Sequence, residues 1–149
     1  ARENLLPTRR LNMSNPIHGA CLCGRVQYQV SGPFDAFHLC HCSQCRRSTG
    51  TAHAANIFTS ADRLQWLAGE ELIKRYTPDE PDVISKSFCS HCGSLVPYTS
   101  LKSGRLIIPA GSLSEPPDIK PQDNIFWRDR ADWYDAGLAA KHVEQFPDD

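Results

Sequence analysis

The sequence predicts a mainly β fold with little helix, and three observations predict it. Short segments that alternate apolar and polar residues recur along the chain. Gly, Pro, Asp and Ser punctuate these segments at short, regular intervals, as in Gly32-Pro33 and Ser103-Gly104. The chain has 149 residues, which suits one domain large enough to bury a core of its own.

The clearest strand is predicted over residues 25–30, where the sequence RVQYQV alternates like a half-buried strand. Seven further strands are predicted, at 36–39, 52–58, 63–67, 71–76, 85–88, 95–98 and 105–109. Helix is predicted only in short pieces such as 43–49.

The chain is predicted to have an N-terminal extension over residues 1–16 and a single domain over residues 17–149. The C-terminal segment 118–149 belongs to that domain in this interpretation. It is expected to pack on the rest because it holds five large aromatic residues: Phe126, Trp127, Trp133, Tyr134 and Phe146.

Charge and hydropathy exclude several classes of protein. The net charge is -1, which argues against binding nucleic acid through bulk positive charge. No run approaches about eighteen apolar residues, so no transmembrane helix is predicted. Residues 1–17 lack the apolar stretch of a secretory signal. We therefore expect a cytoplasmic protein without nucleic-acid or membrane partners.

The seven cysteines form three tight clusters, Cys21-x-Cys23, Cys40-x-Cys42-x-x-Cys45 and Cys89-x-x-Cys92. An odd number of cysteines, a reducing compartment and such short spacings all oppose disulfides. The first pair and the last pair together supply four thiolates, which favours a closed, structural zinc site. Gly24 and Gly93 follow these pairs and permit the positive φ that such turns need.

The middle cluster then has three thiolates, and three protein ligands with one open position are typical of a catalytic zinc. A closed site with a histidine as fourth ligand is the alternative. His41 alternates away from the face that Cys40 and Cys42 share, His38 shares that face with limited reach, and His53 is distant in sequence. Iron is also chemically compatible with thiolates.

Arg46 and Arg47 directly follow the triplet. They are candidates for binding substrate carboxylates and offsetting the negative charge of the thiolates. An equal alternative is that both are ordinary surface arginines.

Three segments carry a resemblance to a known family: Gly19-Ala-Cys21-Leu-Cys23-Gly24, Cys40-His-Cys42-Ser-Gln-Cys45-Arg46 and Phe88-Cys89-Ser-His-Cys92-Gly93-Ser94. In this order they resemble the glutathione-dependent formaldehyde-activating enzyme family, which also contains the centromere protein V type of domain. The resemblance implies a β-tent of small coiled antiparallel sheets. It also implies two zinc ions per chain, a structural one on Cys21, Cys23, Cys89 and Cys92 and a catalytic one on Cys40, Cys42 and Cys45.

The resemblance implies a carbon–sulfur lyase that joins a small thiol such as glutathione to formaldehyde. An open three-thiolate zinc suits this chemistry, because the ion stabilises a substrate thiolate or polarises a carbonyl oxygen. The alternative hypothesis is a zinc-stapled interaction module without turnover, and a redox pair at Cys42 and Cys45 is a weaker third.

Overall fold

The computed structural model describes residues 15–147. The strands of this part are β1 (Ile17–Ala20), β2 (Gln27–Val30), β3 (Ala36–Cys40), β4 (Ala54–Thr59), β5 (Leu64–Ala68), β6 (Ile73–Tyr76), β7 (Lys86–Cys89), β8 (Leu95–Val96), β9 (Tyr98–Thr99), β10 (Leu106–Pro109) and β11 (Asp123–Ile125). Its α-helices are α1 (Ser43–Thr49) and α2 (Tyr134–Ala139). The predicted mainly β fold with little helix is therefore confirmed. Nearly all of the predicted extension 1–16 lies outside the described residues.

The strands form three sheets, with orders β1-β2-β5, β11-β3-β4-β10-β9 and β6-β7-β8. All pairs are antiparallel except β11, which lies parallel to β3 at an edge of the five-stranded sheet. No described helix is both long enough and apolar enough to cross a membrane.

The main core lies between the first two sheets, and its side chains follow the alternation seen in the sequence. Tyr28 and Val30 of β2 are fully buried, while Gln27 is exposed. They pack with Phe37, Ile57, Leu106 and Ile108. Gly19 makes room for the Tyr28 ring, since a Cβ at this position would lie 2.2 Å from a ring carbon. An alanine there would displace the largest side chain of the core.

The predicted strand 95–98 is two strands in the structure. Pro97 separates β8, which pairs with β7, from β9, which pairs with β10. Proline has no N–H to donate to a ladder, so it interrupts a strand. Here it is fully buried and marks the point where the chain passes from one sheet to another.

The C-terminal segment packs through part of its aromatic residues. The rings of Trp127 and Tyr134 lie 5.2 and 4.8 Å from the ring of His41. Trp133 is 60% exposed and Phe146 is 95% exposed. The expectation that Phe146 packs on the domain is therefore wrong, because its side chain stands in solvent.

Candidate metal centres and active site

The first and last cysteine pairs meet at one point. Cys21 and Cys23 lie in the turn between β1 and β2, Cys89 ends β7, and Cys92 lies in the following turn. Their four Sγ atoms all lie within 4.8 Å of one another. The Sγ–Sγ distance is 3.4 Å from Cys21 to Cys23 and 3.9 Å from Cys23 to Cys89. Sulfurs around a tetrahedral zinc ion with bonds of about 2.3 Å lie about 3.8 Å apart, so the four residues fit this ion.

Tight turns hold both pairs in place. The Gly24 amide donates to the Cys21 carbonyl at 3.0 Å, and the Gly93 amide donates to the Cys89 carbonyl at 2.8 Å. Both glycines have positive φ, 75° and 77°, as their positions in the sequence predict. In addition, the Val26 amide donates to the Cys21 sulfur at 3.3 Å. The backbone therefore stabilises negative charge on sulfur at this site.

Ser94 has the same effect on the second pair. The Cys92 Sγ lies 3.3 Å from the Ser94 hydroxyl oxygen, and hydrogen bonding with the side chain and the backbone amide of Ser94 lowers the pKa of Cys92 to about 5. The thiolate is the form that binds a metal ion. The donor set of this cluster, four sulfurs supported by N–H and O–H groups, is therefore that of a closed thiolate site.

The middle cluster forms a second group of three sulfurs within 4.8 Å of one another. Cys40 ends β3, and Cys45 lies in the first turn of α1, and both are buried. Cys42 is the N-cap of α1, where its sulfur accepts a hydrogen bond from the Cys45 amide at 3.4 Å. Cys42 is half-buried, so this side of the cluster is accessible.

The three thiols of the middle cluster influence one another. Hydrogen bonding to Cys45 lowers the pKa of Cys40 to about 6, and the same contact together with burial raises the pKa of Cys45. The first thiolate therefore makes the next harder to form. Three soft sulfur donors at one point fit a thiophilic divalent cation, which would offset this repulsion.

Two histidines near the triplet, His38 and His41, form side-chain hydrogen bonds outside it. His41 is fully buried, its Nε2 lies 2.9 Å from the Asn124 side-chain oxygen, and its ring packs edge-on against His53 at 5.0 Å. His38 Nδ1 lies 2.5 Å from an Asp123 carboxylate oxygen. Within residues 15–147, no histidine joins either sulfur group. The structure thus offers no described histidine as fourth ligand to the triplet.

A cavity of about 200 Å³ opens beside Cys45. Its polar lining includes Ser48, Thr49, Thr51, His53, Asn56, Lys86 and Tyr98. A second cavity, of about 370 Å³, shares Ile84 and Tyr98 with the first. The triplet therefore lies at the wall of a space that a small molecule can enter.

Arg46 and Arg47 lie on α1, and neither lines the cavity beside Cys45. Arg47 is exposed, and Arg46 is half-buried with a buried Nε that has no hydrogen-bond partner. Their role in binding substrate stays a prediction. Lys86, by contrast, lines the cavity and was not predicted, because strand alternation does not tell which face of β7 meets a cavity built by other elements.

Gln44 is a second residue that the sequence did not reveal. Its side-chain NH₂ donates to the Asp82 carbonyl at 3.1 Å, and its side-chain oxygen accepts from the Ile84 amide at 2.8 Å. Gln44 lies between Cys42 and Cys45, so these two bonds tie the loop 77–85 to the helix that carries the triplet. A partner about forty positions away leaves no local signal in the sequence.

A family model described as glutathione-dependent formaldehyde-activating enzyme matches residues 16–129. The chain belongs to this family. The match confirms the resemblance predicted from the three cysteine motifs and extends beyond them at both ends. All seven cysteines lie within the matched region.

A solved structure of a Rhodobacter sphaeroides protein resembles this member of the family. The two chains are 25% identical, the TM-score is 0.55, and the alignment covers 72% of this chain and 99% of the other. No curated protein sequence matches this chain.

Proposed function

We propose that the chain is a zinc-dependent carbon–sulfur lyase that joins or splits a small thiol, such as glutathione, and an aldehyde, such as formaldehyde. In this proposal Cys40, Cys42 and Cys45 hold a catalytic zinc ion. Cys21, Cys23, Cys89 and Cys92 hold a structural one. The observation that carries the proposal is the three-sulfur cluster at the wall of a cavity, in a family defined by glutathione and formaldehyde.

The contrast between the two clusters supports separate roles. The four-sulfur cluster has its complement of ligands and packs with buried Val26 and Val96 in a small apolar core. The three-sulfur cluster is one ligand short of a tetrahedron, and its Cys45 borders the cavity. An incomplete site beside a cavity is the arrangement that substrate binding requires.

The reaction needs a deprotonated thiol close to a carbonyl carbon. A zinc ion on the triplet would supply positive charge that stabilises a substrate thiolate or polarises a carbonyl oxygen. The protein contributes the placement, because β3 and α1 fix the three sulfurs in one cluster, and Cys45 of that cluster lines the cavity that would hold both reactants. Holding two reactants together removes much of the entropic cost of their encounter.

The atoms balance without a further reactant. The thiol sulfur forms a bond to the aldehyde carbon, the C=O π pair becomes an O–H bond, and the proton that the thiol loses ends on that oxygen. The reverse reaction splits the adduct into thiol and aldehyde. We also propose a cytoplasmic location, because seven free cysteines suit a reducing compartment.

The test is an exchange measurement on the zinc-loaded chain. Magnetisation transfer between ¹³C-formaldehyde hydrate and S-hydroxymethylglutathione reports the rate at which the carbon–sulfur bond forms and breaks. We expect the wild-type chain to accelerate this exchange and Cys42→Ser to lose the acceleration while it stays folded. Wild-type protein with two zinc ions that leaves the exchange at its buffer rate would refute the lyase and favour the interaction module.

A further inference from the structure

Lys86 lies at the edge of the candidate active site. It begins β7 and is half-buried. Because side chains alternate along a strand, Lys86 and Phe88 face the side opposite to the buried Ser87 and Cys89. On that side Lys86 lines the same cavity as Cys45, a buried member of the three-sulfur cluster. The lining of this cavity thus includes both a cysteine of the three-sulfur cluster and a lysine.

Two other cations of this region, Lys102 and Arg75, already have partners. Lys102 forms an ion pair with Asp82 at 2.9 Å. Arg75 donates to the Ser85 hydroxyl and to the Thr99 carbonyl, both at 2.7 Å. Within residues 15–147, the structure gives Lys86 no carboxylate partner.

None of the described residues that line the cavity is an aspartate or a glutamate, so the lining supplies no carboxylate to Lys86. Lys86 is half-buried, and an anionic ligand would offset its positive charge. A carboxylate held at Lys86 would therefore bind more tightly than a neutral group of the same size.

The cavity is large enough for part of a thiol that also carries a carboxylate. A tripeptide is at most about 10 Å long when extended, so its thiol and a terminal carboxylate reach different walls of one small cavity. The neighbouring cavity of about 370 Å³, reached past Ile84 and Tyr98, has room for the remainder.

We propose that Lys86 is the specificity-determining residue that binds a carboxylate of the substrate thiol, so that the site selects anionic thiols over neutral ones. This inference rests on the proposed function, because it assigns the thiol to the three-sulfur cluster. It places the recognition of the carboxylate on β7, in addition to or instead of the two arginines of α1.

Binding to the zinc-loaded full chain tests the proposal. Titration calorimetry compares glutathione with its diethyl ester, which keeps the thiol and lacks both carboxylates. We expect Lys86→Met to weaken glutathione binding by about tenfold or more, the range for a hydrogen bond to a charged group. Binding of the diethyl ester should stay within about twofold, and Lys86→Arg should restore most of the affinity for glutathione.

Lys74→Met is the matched control, because Lys74 is exposed on the neighbouring strand β6 and does not line the cavity. It removes the same charge from the same sheet and should bind both ligands like the wild type. A Lys86→Met chain that binds glutathione as tightly as the wild type, or that loses both ligands equally, overturns the proposed role of Lys86. Either result leaves the proposed function standing. Wild-type chain with zinc on the triplet that binds neither ligand overturns the proposed function as well.

Discussion

Replacement of Cys89 by serine tests the structural role of the four-sulfur cluster. Cys89 is fully buried at the end of β7, and its sulfur lies 3.9 Å from that of Cys23, which is 66 positions earlier in the chain. The change keeps the size of the side chain and removes a soft thiolate ligand. A zinc ion held by the remaining three sulfurs would no longer form the closed site.

The magnitude follows from the length of the loop that the cluster closes. A cross-link that closes a loop of 66 residues stabilises the fold by about 4 kcal/mol in the chain-entropy model. Structural zinc sites in small peptides bind the ion with about 10–16 kcal/mol. The loop-closure value is therefore a lower bound on the contribution of the cluster to stability. Whole domains are stable by only about 5–15 kcal/mol. We therefore expect Cys89→Ser to lower the melting temperature by roughly 8–16 °C, or to prevent folding.

The assay combines thermal unfolding, followed by circular dichroism, with zinc content per chain. Cys42→Ser is the matched control, because it makes the same chemical change in the three-sulfur cluster. Cys42 is also the N-cap of α1, and serine is among the preferred residues at that position, so the control should retain its helix. If Cys89→Ser melts within about 2 °C of the wild type and keeps two zinc ions, the structural assignment of the cluster is wrong.

Two further perturbations test contacts seen in the structure. Gln44→Ala should speed hydrogen exchange of the Ile84 amide about tenfold, because that amide loses its acceptor at 2.8 Å. An unchanged exchange rate would show that Gln44 does not hold the loop 77–85 to α1. Burial raises the pKa of Tyr28 to about 12. In the unfolded chain this tyrosine ionises near pH 10. The buried, neutral Tyr28 therefore contributes about 2–3 kcal/mol to the free energy of unfolding below pH 10, and this contribution is lost as the pH rises towards 12. Denaturant unfolding at about pH 9 and about pH 11.5 should show a smaller alkaline loss in Tyr28→Phe than in the wild type, and an equal loss would refute this origin.

The strand predictions depend on the alternation of apolar and polar residues. Strands that show this alternation were therefore predicted, and strands without it were missed. Tyr28 and Val30 alternate with glutamines, and the burial of β2 follows that pattern. Strand β11 has no such signal, because Asp123, Asn124 and Ile125 pair in parallel with β3 across more than eighty positions. A polar edge strand of three residues owes its conformation to its neighbour, and a single sequence does not reveal that neighbour.

The two sulfur clusters were predictable because metal ligands impose a spacing that the chain itself displays. The turn geometry of Cys89, Cys92 and Gly93 follows from five adjacent residues. The cavity was not predictable, since its lining comes from α1, β4, β7, β8, β9 and the end of β10. Lys86 and Tyr98 line one cavity with Cys45 only after two sheets have formed and packed together.

Strand β7 links the two sulfur clusters. Its C-terminal residue, Cys89, belongs to the four-sulfur cluster, while its first residue, Lys86, lines the cavity of the other cluster. At the other end of β7, Gln44 ties the loop that precedes the strand to the helix of the triplet. The position of the ammonium group relative to the three sulfurs is therefore set from both ends of one short segment. Loss of the four-sulfur site would release one of these ends, so its effect on substrate binding should exceed its effect on the metal affinity of the triplet.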